Sequence, residues 1–253
     1  MTPEYLSYSS ISAYLACGEA WRYRYVEKIK TPTSPELVFG SAVHATIEAY
    51  VARRDFDLLT HWSAIWPNTI ENVNVAWDED TPEQHYNNGV RLLSSKEVSA
   101  GLSKIKPMVD DHGPRIERKI VLNVPGVPVP IIGYIDIVTA DGIPGDFKTS
   151  AVSWNPAKAQ GETQSLFYLA ALNQAGDNAH GWHFRHYVLV KTKEPKFQVL
   201  EHVHKPGEIM WLFEMIRRVW SAIEAEHYPL NPTGWKCNPV FCDFWGRCRG
   251  KYV

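Results

Sequence analysis

Asp136, Asp146 and Lys148 fall within one short segment, IIGYIDIVTADGIPGDFK, residues 131–148. Asp136 lies in one apolar run and Asp146 and Lys148 in the next, with the turn signal Asp141-Gly142 between them. Carboxylates on neighbouring strands can hold a hard divalent cation, which prefers a few such oxygens plus waters and substrate phosphate. The cation screens the phosphate and lowers the pKa of a bound water. A lysine beside it orients that water or neutralises the transition state of phosphodiester cleavage. Taken alone, the same pattern also describes two solvated strand acids with a salt-bridging lysine.

Register decides between these readings. A two-residue loop at Asp141-Gly142 sets Asp136 opposite Phe147 and sends the two acids to opposite faces. A three-residue loop over 140–142, with Gly142 left-handed, pairs Thr139 with Ile143 and sets Asp136 opposite Asp146. We expect the second register, and Lys148 then shares the face of Asp146 because strand side chains alternate.

Other residues could join this site. His44 lies one turn before Glu48 in FGSAVHATIEAY; neutral imidazole ligates manganese well, though a lone helix histidine also serves as a structural hydrogen-bonding group. Gln164 and Tyr168 share a helix face by their spacing. They could hold a phosphate or a water, or act as a capping glutamine and a core tyrosine.

These residues need elements to position them. Ser9 or Ser10 is the expected cap of a first helix. A second helix is expected from about Glu36 to Arg54, with Val43, Ile47, Tyr50 and Val51 at helical spacing. Residues 55–112 read as a helical insertion. From Glu117 the texture turns to strands, IERKIVLNV, IIGYIDIV and GIPGDFKT, with Pro125 to Pro130 as a connection. A helix over 158–175, strands HFRHYVLVKT and KFQVLEHV, and a long amphipathic helix follow. The buried stripe of that last helix runs Ile209, Leu212, Phe213, Ile216, Val219 and Ile223. The tail from Asn231 reads as irregular. The expected fold class is α/β, a mixed central sheet flanked by helices.

Composition sets wider bounds. The 253 residues are 45% hydrophobic and 21% charged, enough for a packed core. A net charge of −2 argues against binding nucleic acid by bulk charge, but leaves room for a local basic groove. The start shows no basic region followed by an apolar run, and no stretch reaches the ~20 apolar residues of a membrane span. The expectation is a cytoplasmic protein with no membrane partner. Disulfides are uncommon there, so Cys17, Cys237, Cys242 and Cys248 read as thiols or metal ligands.

The ordered series FGSAVH, GYID, GDFKT and QSLFY resembles the RecB-type nucleases of the PD-(D/E)XK superfamily. The opening LSYSSISAYLACGEAWRYRYVEKIK looks like their N-terminal segment. The resemblance spans residues 7–50 and 117–172 and the cysteine tail. It implies a restriction-endonuclease-like core in a single nuclease domain over 1–253, with the insertion at 55–112 and the sheet core at 117–204. It implies that His44, Asp136 and Asp146 bind Mn2+ or Mg2+, with the Phe147 carbonyl as a further ligand. Lys148 would be the catalytic lysine. Gln164 and Tyr168 match the family's QxxxY motif and would contact DNA or the nucleophile. Glu117 and Glu48 would be candidate supporting acids. The proline of the family's "PD" position is absent, since Ile135 precedes Asp136.

One cysteine in the first helix and three in the tail resembles the iron–sulfur branch of these nucleases, which includes CRISPR-associated RecB-like exonucleases and AddAB-type nuclease domains. In that branch a 4Fe-4S cluster ties the chain ends together. Here it would engage the tail over 231–253 with Cys17; four thiolates also suit Zn2+. The tail gaps are four and then five residues, and Gly18 follows Cys17 where proline is usual.

Arg22, Arg24, Lys28 and Arg118 are candidates to line a DNA groove, although such charges more often form a solvated face. The expectation is a metal-dependent exonuclease acting on single strands or DNA ends, in recombination, repair, or phage- or CRISPR-related processing. No Walker motif is present, so a helicase partner would be a separate protein. The alternative is a non-catalytic DNA-binding or assembly subunit that keeps the fold.

Overall fold

The computed structural model describes residues 2–253. The chain opens with β1 (Leu6–Ser7), α1 (Tyr8–Ala16) and α2 (Gly18–Trp21), which runs on into a π-type turn over Arg22–Val26. Next come α3 (Pro35–Arg53), α4 (Leu58–Glu71), α5 (Pro82–Leu93) and α6 (Lys96–Ser103). A short hairpin, β2 (Val109–Asp110) and β3 (Gly113–Pro114), precedes β4 (Ile116–Leu122), β5 (Ile131–Val138) and β6 (Pro144–Ser150). Then follow α7 (Pro156–Gly161), α8 (Thr163–Gln174), β7 (His183–Val190), β8 (Lys196–Val203) and α9 (Glu208–Glu224). Beyond α9 the tail is irregular, with 3-10 turns at Trp245–Arg247 and Arg249–Tyr252. The sheet order is β1-β5-β6-β7-β8, with β4 also paired to β5. This is the mixed central sheet that the sequence implied. No helix among the described residues is long and apolar enough to cross a membrane.

The chain divides into two compact units. One takes the chain up to Thr31 with Val121–Gly133 and Gly207–Val253; the other takes Pro32–Ile120 and Tyr134–Pro206.

In the larger unit, β5–β6 and β7–β8 are antiparallel and β6–β7 is parallel. A parallel pair needs a long crossover, and α7 and α8 supply it. The sequence reading of one helix over 158–175 is corrected to these two. Asn155 caps α7, Pro156 occupies its first turn, and Glu162 adopts extended backbone between the two helices. α8 is buried along most of its length, as a helix apolar on all sides must be. α3 starts where Ser34 accepts from Leu37 N and Pro35 fills the first turn. α4 is capped by Asp57, and α5 by a Thr81–Gln84 capping box. The apolar faces of α3 to α6 form one core with Ile137, Phe147, Tyr187 and Leu189 of the sheet. Trp62 sits at its centre, fully buried; truncation to alanine there should cost about 3–5 kcal/mol.

In the smaller unit, Leu6 and Ser7 pair in parallel with Ile131 and Ile132. Ser7, rather than Ser9 or Ser10, caps α1: its hydroxyl accepts from Ser10 N at 3.1 Å. Ser9 and Ser10 lie inside α1, which begins at Tyr8. The Trp21 ring stacks between Tyr25 and Tyr228. α9 buries Leu212, Ile216, Val219, Trp220 and Ile223; of the stripe expected from its spacing, Ile209 and Phe213 are only half-buried, and Trp220 joins it. The tail is tied to the π-type turn by an Arg24–Asp243 ion pair and by Tyr23 packed on Phe244.

Candidate active site

The hairpin between β5 and β6 has the three-residue loop. Thr139 N donates to Ile143 O, Gly142 N donates to Thr139 O, and Gly142 has φ +82. Ile137 pairs with Gly145, so Asp136 faces Asp146. The ladder ends there. Phe147 N donates to the Asp136 Oδ2 at 2.7 Å rather than to a strand carbonyl. The strands part at the two acids, which opens room between them without leaving that buried N–H unsatisfied.

Both acids are withdrawn from water, Asp136 at 6% exposure and Asp146 at 1%. Lys148 Nζ donates to Asp146 Oδ1 at 2.9 Å and to Gln164 Oε1 at 3.0 Å. It also lies 2.7 Å from Asp146 Oδ2, but without hydrogen-bond geometry, so that buried oxygen has no hydrogen-bond partner among the described residues. Gln164 Nε2 in turn donates to the Tyr168 hydroxyl at 2.7 Å. The helix spacing of Gln164 and Tyr168 and the strand spacing of Asp146 and Lys148 thus join in one chain of contacts. His44 comes from α3, its Nδ1 3.5 Å from Asp136 Oδ2 and its ring edge-on to Phe147.

The electrostatics follow from burial and crowding. Burial, then the charge of Asp146, pushes the Asp136 carboxyl well above the usual range. Burial lowers the His44 imidazole against the pull of Asp146, which favours the neutral ring. Burial also opposes the charge on Lys148, but attraction and hydrogen bonding to Asp146 outweigh it and raise its pKa. Burial, with Asp146 and Asp136 nearby, raises Tyr168 and keeps its phenol protonated.

Glu48, one turn after His44, faces Glu117. Burial and the Glu117 carboxylate push the Glu48 pKa up to about 8. Glu117 holds a left-handed backbone, φ 49, inside β4. For a non-glycine residue this costs of order 1–3 kcal/mol and marks a functional-site candidate. Both acids line an open cleft of about 740 Å³ with His44, Ser41, Thr149 and Lys191. Sequence reasoning named Glu48 and Glu117 separately. It missed their pairing, and it missed Lys191, because nothing in strand periodicity marks either.

The donor set suits a divalent cation: two buried acids, a neutral imidazole and an oxygen without a partner. Spacing is looser than in a closed site, since His44, Asp136 and Asp146 do not all lie within 4.8 Å of one another, among the described residues.

The candidate DNA-contacting arginines are engaged within the chain. Arg22 pairs with Glu19 and Glu27, Arg24 with Asp243, and Arg118 with Asp110. Lys28 is exposed and has φ 55. In the smaller unit all four cysteines are free and half-buried, and all line one cavity of about 380 Å³. Burial raises the Cys242 thiol, and Cys17 and Cys237 add to the rise. No three of the four sulfurs lie mutually within 4.8 Å, among the described residues.

Known proteins bear on this geometry. The sequence profile of the PD-(D/E)XK nuclease superfamily matches residues 5–249. The fold is similar to the crystal structure of a protein from Eubacterium rectale named as an exonuclease candidate. The TM-score is 0.63 at 11% identity, over 92% of this chain and 87% of that one. The curated proteins contain no match.

Proposed function

The chain belongs to the PD-(D/E)XK nuclease superfamily, and on that premise we propose that it is a divalent-metal-dependent deoxyribonuclease that degrades single strands or duplex ends. The observation that carries this reading is the contact of Lys148 Nζ with both Asp146 and Gln164, opposite Asp136 and beside His44. The exonuclease mode draws support from the similar structure named as an exonuclease candidate.

His44, Asp136 and Asp146, with the Phe147 carbonyl, would hold Mg2+ or Mn2+. The bound ion supplies positive charge to the scissile phosphate and lowers the pKa of its water. Lys148 stays protonated, and its ammonium is placed to stabilise negative charge building on a phosphate oxygen. Gln164 fixes the direction of that ammonium through Oε1 and holds Tyr168 through its amide. Tyr168, kept neutral, remains a hydrogen-bond donor for a phosphate oxygen or a water. Glu48 and Glu117 are supporting acids on the cleft wall.

The four cysteines are assigned to a 4Fe-4S cluster that would staple the tail. Tetrahedral zinc, with Zn–S of about 2.3 Å, needs sulfurs roughly 3.8 Å apart. The wider spacing and the shared cavity favour a larger group. We place the protein in the cytoplasm, as one nuclease domain over 1–253 serving recombination, repair, or phage- or CRISPR-related DNA processing, with a separate helicase as a fitting partner.

The test is end-labelled single-stranded and blunt duplex DNA with Mn2+, comparing the wild type with Asp146→Asn. Mononucleotides released from the end by the wild type, with loss in Asp146→Asn and in EDTA, support the reading. Equal activity in both proteins sinks the metal site. DNA binding without cleavage by the wild type favours the non-catalytic subunit.

A further inference from the structure

The larger unit holds a second group of metal-ligating side chains, separate from the acid hairpin. Glu36, Asp80 and His85 each bring one ligand atom to within 4.8 Å of the other two. Glu36 lies in the first turn of α3, Asp80 in the loop before α5, and His85 within α5. Two stretches of chain, the start of α3 and the entry to α5, therefore converge on one point.

His85 directs the group. It is 6% exposed, yet its imidazole makes no hydrogen bond among the described residues; its Nε2 lies 3.4 Å from Asp80 Oδ2. The ring is stacked on Trp66, at 12° between planes, and is flanked by Phe39 and Trp77. These aromatic walls fix its direction, so the nitrogen is aimed at the carboxylates by packing. The carboxylates themselves lack a cation: neither Glu36 nor Asp80 pairs with a lysine or arginine, among the described residues. Like charges this close repel, and an ion between them turns that repulsion into binding energy. Both acids are exposed, so water can complete the coordination shell.

We propose that Glu36, Asp80 and His85 form a second divalent-cation site of the mixed carboxylate–imidazole class that takes Mn2+ or Zn2+. Its ion pins the first turn of α3 to the loop before α5. His44 lies eight residues beyond Glu36 on the same helix, about 12 Å along the axis. The site therefore anchors the helix that carries His44 and Glu48, and Glu36 itself lies on the wall of the cleft that holds them.

Mn2+ is the probe, because the thiolates of the cysteines disfavour it. Bound ion is counted by loss of the free Mn2+ paramagnetic resonance signal, at sub-millimolar concentration, in four proteins. These are the wild type, Asp136→Asn/Asp146→Asn, Glu36→Gln/Asp80→Asn, and all four changes together. The hairpin variant should keep one Mn2+ per chain, and the fourfold variant none. Glu36 and Asp80 are exposed, so their replacement leaves the core intact. Excess Mn2+ should raise the Tm of the hairpin variant by roughly 5–10 °C at a hundredfold excess over Kd. It should leave the fourfold variant unmoved. Zn2+ that displaces the counted Mn2+ from the hairpin variant would make zinc the preferred ion of the same site. The proposal is overturned if the hairpin variant binds no Mn2+, or if the fourfold variant binds as much as the hairpin variant does. A failure of the catalytic reading appears elsewhere, as equal binding by the wild type and the hairpin variant.

Discussion

Replacing Glu48 with glutamine should stabilise the metal-free protein, and increasingly so as pH rises from about 4.5 to about 8. Burial and the facing Glu117 raise the Glu48 pKa from 4.5 to about 8. Between those values the folded chain holds a proton that the unfolded chain has released. Stability therefore falls as pH rises through that window and is greatest below it. The full rise is worth at most ~5 kcal/mol at 1.36 kcal/mol per pH unit. Glu48 is partly open to solvent, which screens the interaction, so we expect ~2 kcal/mol to be realised. Glutamine cannot ionise, so the Glu48→Gln variant should match the wild type near pH 4.5 and exceed it by ~2 kcal/mol near pH 8. At about 2–4 °C per kcal/mol this is a Tm gap of roughly 4–8 °C. The assay is thermal unfolding in EDTA across this range, followed by circular dichroism. Parallel curves for the two proteins would refute the Glu48–Glu117 repulsion. A gap that opens toward acid pH would refute its sign.

Further outcomes follow from the same geometry. Lys148→Ala should lower DNA hydrolysis by ~10²–10³-fold, as loss of one transition-state donor does; steady-state rates at saturating Mn2+ check this. In EDTA the same change leaves Asp146 buried without its cation, and a chemical denaturation curve should show a loss of ~3 kcal/mol. Gly145→Ala should cost ~1–3 kcal/mol and reduce activity with it. Its Cβ would meet the buried Tyr187 ring at 2.6 Å, next to Asp146, and a urea titration with a parallel rate assay reads both. Cys248→Ala should give poorly soluble protein without the brown absorbance of an iron–sulfur group; full retention of colour and Tm would refute the cluster.

Local chemistry was legible in the sequence where short-range rules apply. Asp141-Gly142, with a glycine able to take φ +82, dictated the loop, and the loop dictated that Asp136 faces Asp146. Strand alternation put Lys148 beside Asp146, and helix periodicity put Gln164 beside Tyr168. Each relation rests on a fixed period within one element or across one tight turn. The cap of α1 and the break between α7 and α8 went unread, because a serine two residues off or a single extended residue hardly alters the apolar pattern.

Tertiary structure alone decided what meets between elements. The 3.5 Å approach of His44 to Asp136 depends on how α3 packs against Phe147, and no spacing in the sequence encodes that. The Lys148–Gln164 bond depends on the placement of α8 over β6. The Glu48–Glu117 pair needs a strained residue in β4, and Glu36, Asp80 and His85 gather only through the aromatic core around Trp66. The arginines read as candidates for DNA are taken up by carboxylates within the chain. Sequence determined the identity and local order of the reactive groups because backbone periodicity is local. The fold decided their partners because burial, charge and strain depend on residues far apart in the chain.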